Sequence, residues 1–102
     1  MAPTYRKSTS AEVRAIFNAQ EYWERVHGGE FTEELEWQGR VRRRGNLRGT
    51  VSQTIGYYDQ NGKRIARVHQ NIDRATGEVI GRPDPLTLLH HGVLYDCSHE
   101  HG

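Results

Sequence analysis

Between residues 9 and 27 the apolar positions fall at helical spacing. Val13, Ile16, Ala19, Trp23 and Val26 make a stripe, and Phe17 and Tyr22 widen it. Thr9 and Glu12 stand at capping-box spacing, and Gly28 and Gly29 follow His27 as a stop. The pattern predicts one amphipathic helix over 9–27, its aromatics packed in a core. From 34 to 44 the period becomes two. Leu35, Trp37 and Val41 fall on one face, and Glu34, Glu36, Gln38, Arg40, Arg42 and Arg44 on the other. That predicts a half-buried strand with Trp37 inside and a fully charged outer face. Its start is open, because FTEELEW could also extend as a helical turn.

The segments 50–58 and 63–72 read as a hairpin around Asn61-Gly62, a dipeptide suited to the positive φ angles of a type I′ turn. A two-residue loop there sets the register. Asp59 would face Arg64, Tyr57 would face Ala66 and Ile55 would face Val68, with the two apolar pairs in the core. Tyr58 would face Ile65, Gly56 would face Arg67 and Thr54 would face His69 on the opposite side. Beyond a turn at 73–77, the stretch 81–85 reads as a stiff, proline-containing linker. Asp84 and Pro85 then suit the start of a short helix through Leu86, Leu88 and Leu89. Residues 93–97 read as a last strand, and 1–8 and 98–102 as frayed ends.

These elements predict a single α+β domain spanning 1–102, with an N-terminal helix packed on one face of a three- to four-stranded antiparallel β-meander. Leu, Ile, Val and Phe number only 20 among 102 residues, a lean supply for a core, yet the net charge of +1, two Trp and five Tyr favour folding over disorder. The single Cys97 allows no intrachain disulfide, which a lean secreted domain would need. The first residues show no apolar signal region, and no run approaches the roughly 18–20 apolar residues that cross a bilayer. The expectation is a cytoplasmic protein without a membrane partner.

Charge changes the picture more than composition does. Residues 1–39 carry net −3, residues 40–82 net +7 and residues 83–102 net −3. Five arginines (Arg40, Arg42, Arg43, Arg44 and Arg48) lie within nine residues of the basic middle. A guanidinium offers a fixed fork of donors that matches phosphate oxygens. Alternate arginines on a strand would recur about every 6.6 Å, close to the phosphate spacing of an extended strand. Arg40, Arg42, Arg44 and Arg48, broadened by Lys63 and Arg67, are therefore the candidate contacts to RNA or single-stranded DNA. The competing reading is a solvated face paired with Glu33, Glu34 and Glu36.

A second candidate is catalytic. Metal-independent RNA cleavage needs a base, an acid and a cation, and His69, Tyr58 and Arg67 share the polar side of the expected hairpin. Small ribonuclease toxins also combine a helix with an antiparallel sheet, though that is an analogy of fold alone. The third reading is a protein-interaction module or homodimer that docks an acidic partner on the basic middle. At the C-terminal end, His90, His91, Cys97, His99 and His101 are metal-ligand types, but their spacing matches no zinc pattern. Nucleotide-binding glycine loops and a nucleophile elbow are missing from the sequence. No metal and no cofactor is expected.

Overall fold

The computed structural model describes residues 2–100. The chain runs β1 (Thr4–Lys7), α1 (Ser10–Ala19), α2 (Tyr22–His27), β2 (Thr32–Gln38), β3 (Thr50–Tyr58), β4 (Arg64–Asp73), β5 (Val79–His90), β6 (Val93–Asp96), and a 3-10 turn at Ser98–Glu100. The strands form one sheet in the order β1-β6-β5-β4-β3-β2. Neighbours are antiparallel except β1, which runs parallel to β6. The α+β class stands. The sheet, however, has six strands and is mixed rather than a three- or four-stranded meander.

The N-terminal helical signal holds in type but not in continuity. Thr9 caps α1, its hydroxyl accepting from the Glu12 amide at 3.1 Å. The helix then breaks at Gln20, and Glu21 takes a left-handed φ of 54°. That conformation is costly for a residue with a Cβ. It re-aims the chain so that Tyr22 stacks on Phe17 at 5.9 Å between centroids and meets Phe31 at 5.8 Å. Phe17 also stacks on Tyr57 at 6.1 Å. Val13, Phe17, Tyr22, Phe31, Ile55, Tyr57, Ala66, Val68, Leu88 and Cys97 form the buried core between the helices and the inner face of the sheet.

The expected ends and connections need correction. Residues 4–7 are a sheet strand, and Glu100 accepts a hydrogen bond from the Ser10 amide at 2.6 Å, so neither flank is frayed where described. Residues 101 and 102 lie outside the described part. The stretch read as linker and short helix, 81–89, is β5, because pairing with β4 and β6 overrides the Asp84-Pro85 cap signal. The hairpin turn is longer than two residues. Asp59 pairs its amide with the Lys63 carbonyl, its carboxylate accepts from the Asn61 and Lys63 amides, and Gly62 rather than Asn61 takes the positive φ.

Candidate nucleic-acid interface

The side chains of β3 and β4 alternate between the helix-covered inner face and an outer face with no helix over it among the described residues. The central pairs Thr54↔His69, Ile55↔Val68, Gly56↔Arg67 and Tyr57↔Ala66 match the expected register. Ile55, Tyr57, Ala66 and Val68 are inside, and Thr54, Gly56, Arg67 and His69 lie outside.

Irregularities in the ladders decide what else reaches the outer face. In β2, Leu35 pairs with Ile55 but Trp37 pairs with Thr54, so Glu36 is an extra residue. The inserted residue reverses the alternation and turns Trp37 outward, where it is 54% exposed instead of in the core. Leu35 is also exposed, because it lies on the edge strand beyond the reach of the helices. In β4, Tyr57 pairs with Ala66 and Tyr58 with Arg64, leaving Ile65 extra. Arg64 thus takes the outward place beside Tyr58 expected for Ile65, and the expected Asp59–Arg64 pair does not form. In β5, Leu86 is extra between Thr87 and Pro85, and residues 81–83 bow away opposite Gln70.

The outcome is a row of polar groups with two centres. At one, the half-buried Glu36 carboxylate accepts two bonds from Arg64 Nη1, at 3.1 and 3.0 Å. Arg67 Nε lies 3.2 Å from Glu36 Oε1 as an ion pair without hydrogen-bond alignment. The Tyr58 hydroxyl donates to Glu36 Oε2 at 3.3 Å. Desolvation and then the Glu36 charge raise the Tyr58 phenol above its ordinary value. Gly56 makes room for this cluster, since a Cβ there would collide with the Glu36 carboxylate. At the other centre, His69 Nε2 and Ser52 Oγ are hydrogen-bonded. They share a groove of about 330 Å³ with Trp37, Thr54 and Leu86. A second cavity of about 380 Å³, lined by Arg14 and Asn18 of α1 with His69, Gln70, Arg82 and Asp84, lies where the helix meets the sheet rather than on the open face. Arg14 Nε donates to Asp84 at 3.1 Å there.

The arginine cluster is dispersed rather than aligned. Residues 39–42 follow β3 only through isolated backbone bonds, from the Gly39 amide to Ser52 and from the Arg42 amide to Thr50, each 2.9 Å. Arg42 joins the outer face, its Nη1 donating to Thr50 Oγ1 at 3.1 Å and Asn71 Oδ1 at 2.9 Å. Arg40 and Arg43 instead border a cavity with Val51 and Arg74 on the other side of the sheet. Arg44 and Arg48 are exposed in the connection between β2 and β3, and Lys63 is in the hairpin loop. The expected alternation of Arg40, Arg42 and Arg44 along one strand therefore fails, because β2 ends at Gln38. Of the predicted binding residues, the outer face gathers Arg42 and Arg67. Of the predicted catalytic residues it gathers His69, Arg67 and Tyr58, with Arg67 between the two centres. Glu36, Arg64 and the outward Trp37 were missed. Their types were visible, but the bulges that aim them were not.

The C-terminal ligand types do not converge. His90 and His91 meet at 4.0 Å between ring centroids in the β5–β6 turn, not at a helix end. Cys97 is fully buried, and burial pushes its thiol up, away from thiolate reactivity. His99 is in the 3-10 turn, and His101 lies outside the described residues. Among the described residues no group of three or more His, Cys, Asp and Glu is arranged around a metal position. Among the described residues no helix is long and apolar enough to cross a membrane.

Comparison with protein-family models, curated proteins and solved structures finds no match for this chain.

Proposed function

We propose that the protein binds single-stranded nucleic acid, RNA or DNA, along the outer face of its sheet. The observation that carries this reading is Trp37. A bulge turns an indole to solvent on the same face as Arg42, Arg64, Arg67 and His69. Exposed aromatics hold bases by stacking while guanidinium groups hold the phosphates between them. A duplex would need a protruding helix or ribbon to read its groove, whereas a row of side chains on a sheet suits an unpaired strand. On β2 the acidic Glu34, opposite Gly56, limits the attraction at that edge of the face.

Titration with labelled single-stranded RNA and DNA at two salt concentrations tests it. Affinity falls as salt rises, with a log–log slope near −0.7 per phosphate contact. Trp37→Ala weakens binding by about 1–3 kcal/mol, the usual value of one stacked base. Arg42→Ala weakens it for all sequences, and Arg43→Ala, on the other side of the sheet, leaves it nearly unchanged. Absence of binding at low salt overturns the proposal. If a concentration-dependent mass in sizing accompanies that absence, the outer face serves a protein partner or a second copy instead.

A further inference from the structure

We propose that the same face cleaves RNA without a metal, with Glu36 as base and His69 as acid on either side of a phosphate held by Arg67. This deepens the nucleic-acid reading and rests on it. Cleavage by the adjacent 2′-hydroxyl needs a group to take its proton, a group to protonate the departing oxygen opposite, and a cation for the charge that builds on phosphorus.

The outer face supplies these parts in order. Glu36 Oε1 is 3.2 Å from Arg67 Nε, and Arg64 holds both oxygens of the same carboxylate. His69 lies two residues along β4 from Arg67, on the same face and about 6.8 Å away along the strand. The carboxylate at Arg67 and the imidazole two residues on would flank a phosphate seated on the guanidinium. Ser52 fixes the imidazole ring through its hydroxyl. Tyr58, whose hydroxyl donates to Glu36, helps hold that carboxylate in place. Trp37 and Leu86 wall the groove at His69, where a base flanking the scissile phosphate would stack. Both bulges next to these groups re-aim the residues concerned, an arrangement that ladder irregularities beside reactive sites commonly serve.

The step balances with no co-reactant. Glu36 takes the 2′-hydroxyl proton as that oxygen bonds to phosphorus. The bond from phosphorus to the 5′-oxygen breaks, and imidazolium His69 gives that oxygen its proton. The products are a 2′,3′-cyclic phosphate and a 5′-hydroxyl end, and proton exchange with water resets both side chains. DNA has no 2′-hydroxyl and would be bound but not cut.

The test incubates the full chain with a labelled RNA oligonucleotide in EDTA, alongside the same sequence bearing 2′-O-methyl groups. Expected are fragments ending in cyclic phosphate from the RNA, and binding without cleavage for the methylated strand. His69→Gln and Glu36→Gln each slow cleavage by about 10²–10⁴-fold, the usual contribution of a positioned acid or base. Cleavage is compared at saturating strand, so that a change in the affinity of either variant does not enter the rate. Glu36 and His69 are not core residues, and Tyr58→Phe, which deletes one oxygen, supplies a milder variant with an intermediate loss. RNA that is bound but stays intact overturns the catalytic proposal and leaves the binding reading standing. Failure to bind the methylated strand overturns both. Cleavage unchanged in His69→Gln and Glu36→Gln places the activity elsewhere and also overturns the proposal.

Discussion

The two faces of the sheet are built by opposite means. The inner face is apolar and regular over β3 and β4, with Ile55, Tyr57, Ala66 and Val68 alternating inward beneath α1 and Phe17 filling the space between helix and sheet. It is flanked by an amide ladder, Gln70 donating to Gln53 at 2.9 Å and Gln53 to Gln38 at 2.8 Å, which lets β2 dock without an apolar partner at that position. The outer face is polar and is reached through interruptions of the same ladders. Glu36, Trp37, Arg64 and Leu86 owe their places to extra residues that shift the pairing. The inner face holds the fold together, and the outer face departs from regular pairing where polar and charged side chains collect.

That contrast can be broken from either side. The largest effect should come from Phe17→Ala. Phe17 is fully buried against Tyr22 and Tyr57, so truncation costs about 3–5 kcal/mol of stability in a denaturant titration. In the fraction that stays folded, nucleic-acid affinity should hold, because Phe17 touches nothing on the outer face. Affinity lost in proportion to the stability lost would show that the two faces are not independent.

The smallest effect lies at the far end of β5. Burial, then the charges of His91 and Arg25, lower the His90 pKa from its ordinary value. A histidine whose folded-state value is depressed is held neutral by the fold, so protons favour the unfolded chain. The stability this confers is complete above pH about 6.5 and is lost as pH falls through the folded value. His90→Gln should flatten that acid-side slope in thermal melts while nucleic-acid binding at neutral pH stays as it was. An unchanged slope would assign the acid sensitivity to other groups.

The same contrast explains what could be read from the chain. Period-two alternation and the spacing of the α1 stripe placed Val13, Phe17, Ile55, Tyr57 and Val68 in the core, because burial of apolar area acts on every residue of a face at once. The pairing Thr54↔His69 and Gly56↔Arg67 was legible for the same reason, and it brought His69 and Arg67 to one side. Trp37 was misplaced because a single inserted residue reverses alternation, and no residue type around Glu36 announces a bulge. The arginine run failed as a strand because β2 has no partner beyond β3 to hold residues 40–44 extended. β1 was hidden because Thr4–Lys7 is short and exposed, and gains its order only from pairing with β6, some ninety residues away in sequence. Asp84-Pro85 carried a true helix-start signature that long-range pairing overrode.

Trp37 offers the most direct measurement, since the chain has only one other tryptophan, Trp23, which packs beneath Arg82 on the helical side. In a Trp23→Phe variant the emission reports Trp37 alone. Adding single-stranded RNA bearing 2′-O-methyl groups should quench it saturably, with a midpoint that moves to higher concentration as salt is raised. Emission that stays constant while an independent assay shows the strand bound would place the nucleic acid on another surface, such as the side bearing Arg40, Arg43 and Arg74, and would contradict the account.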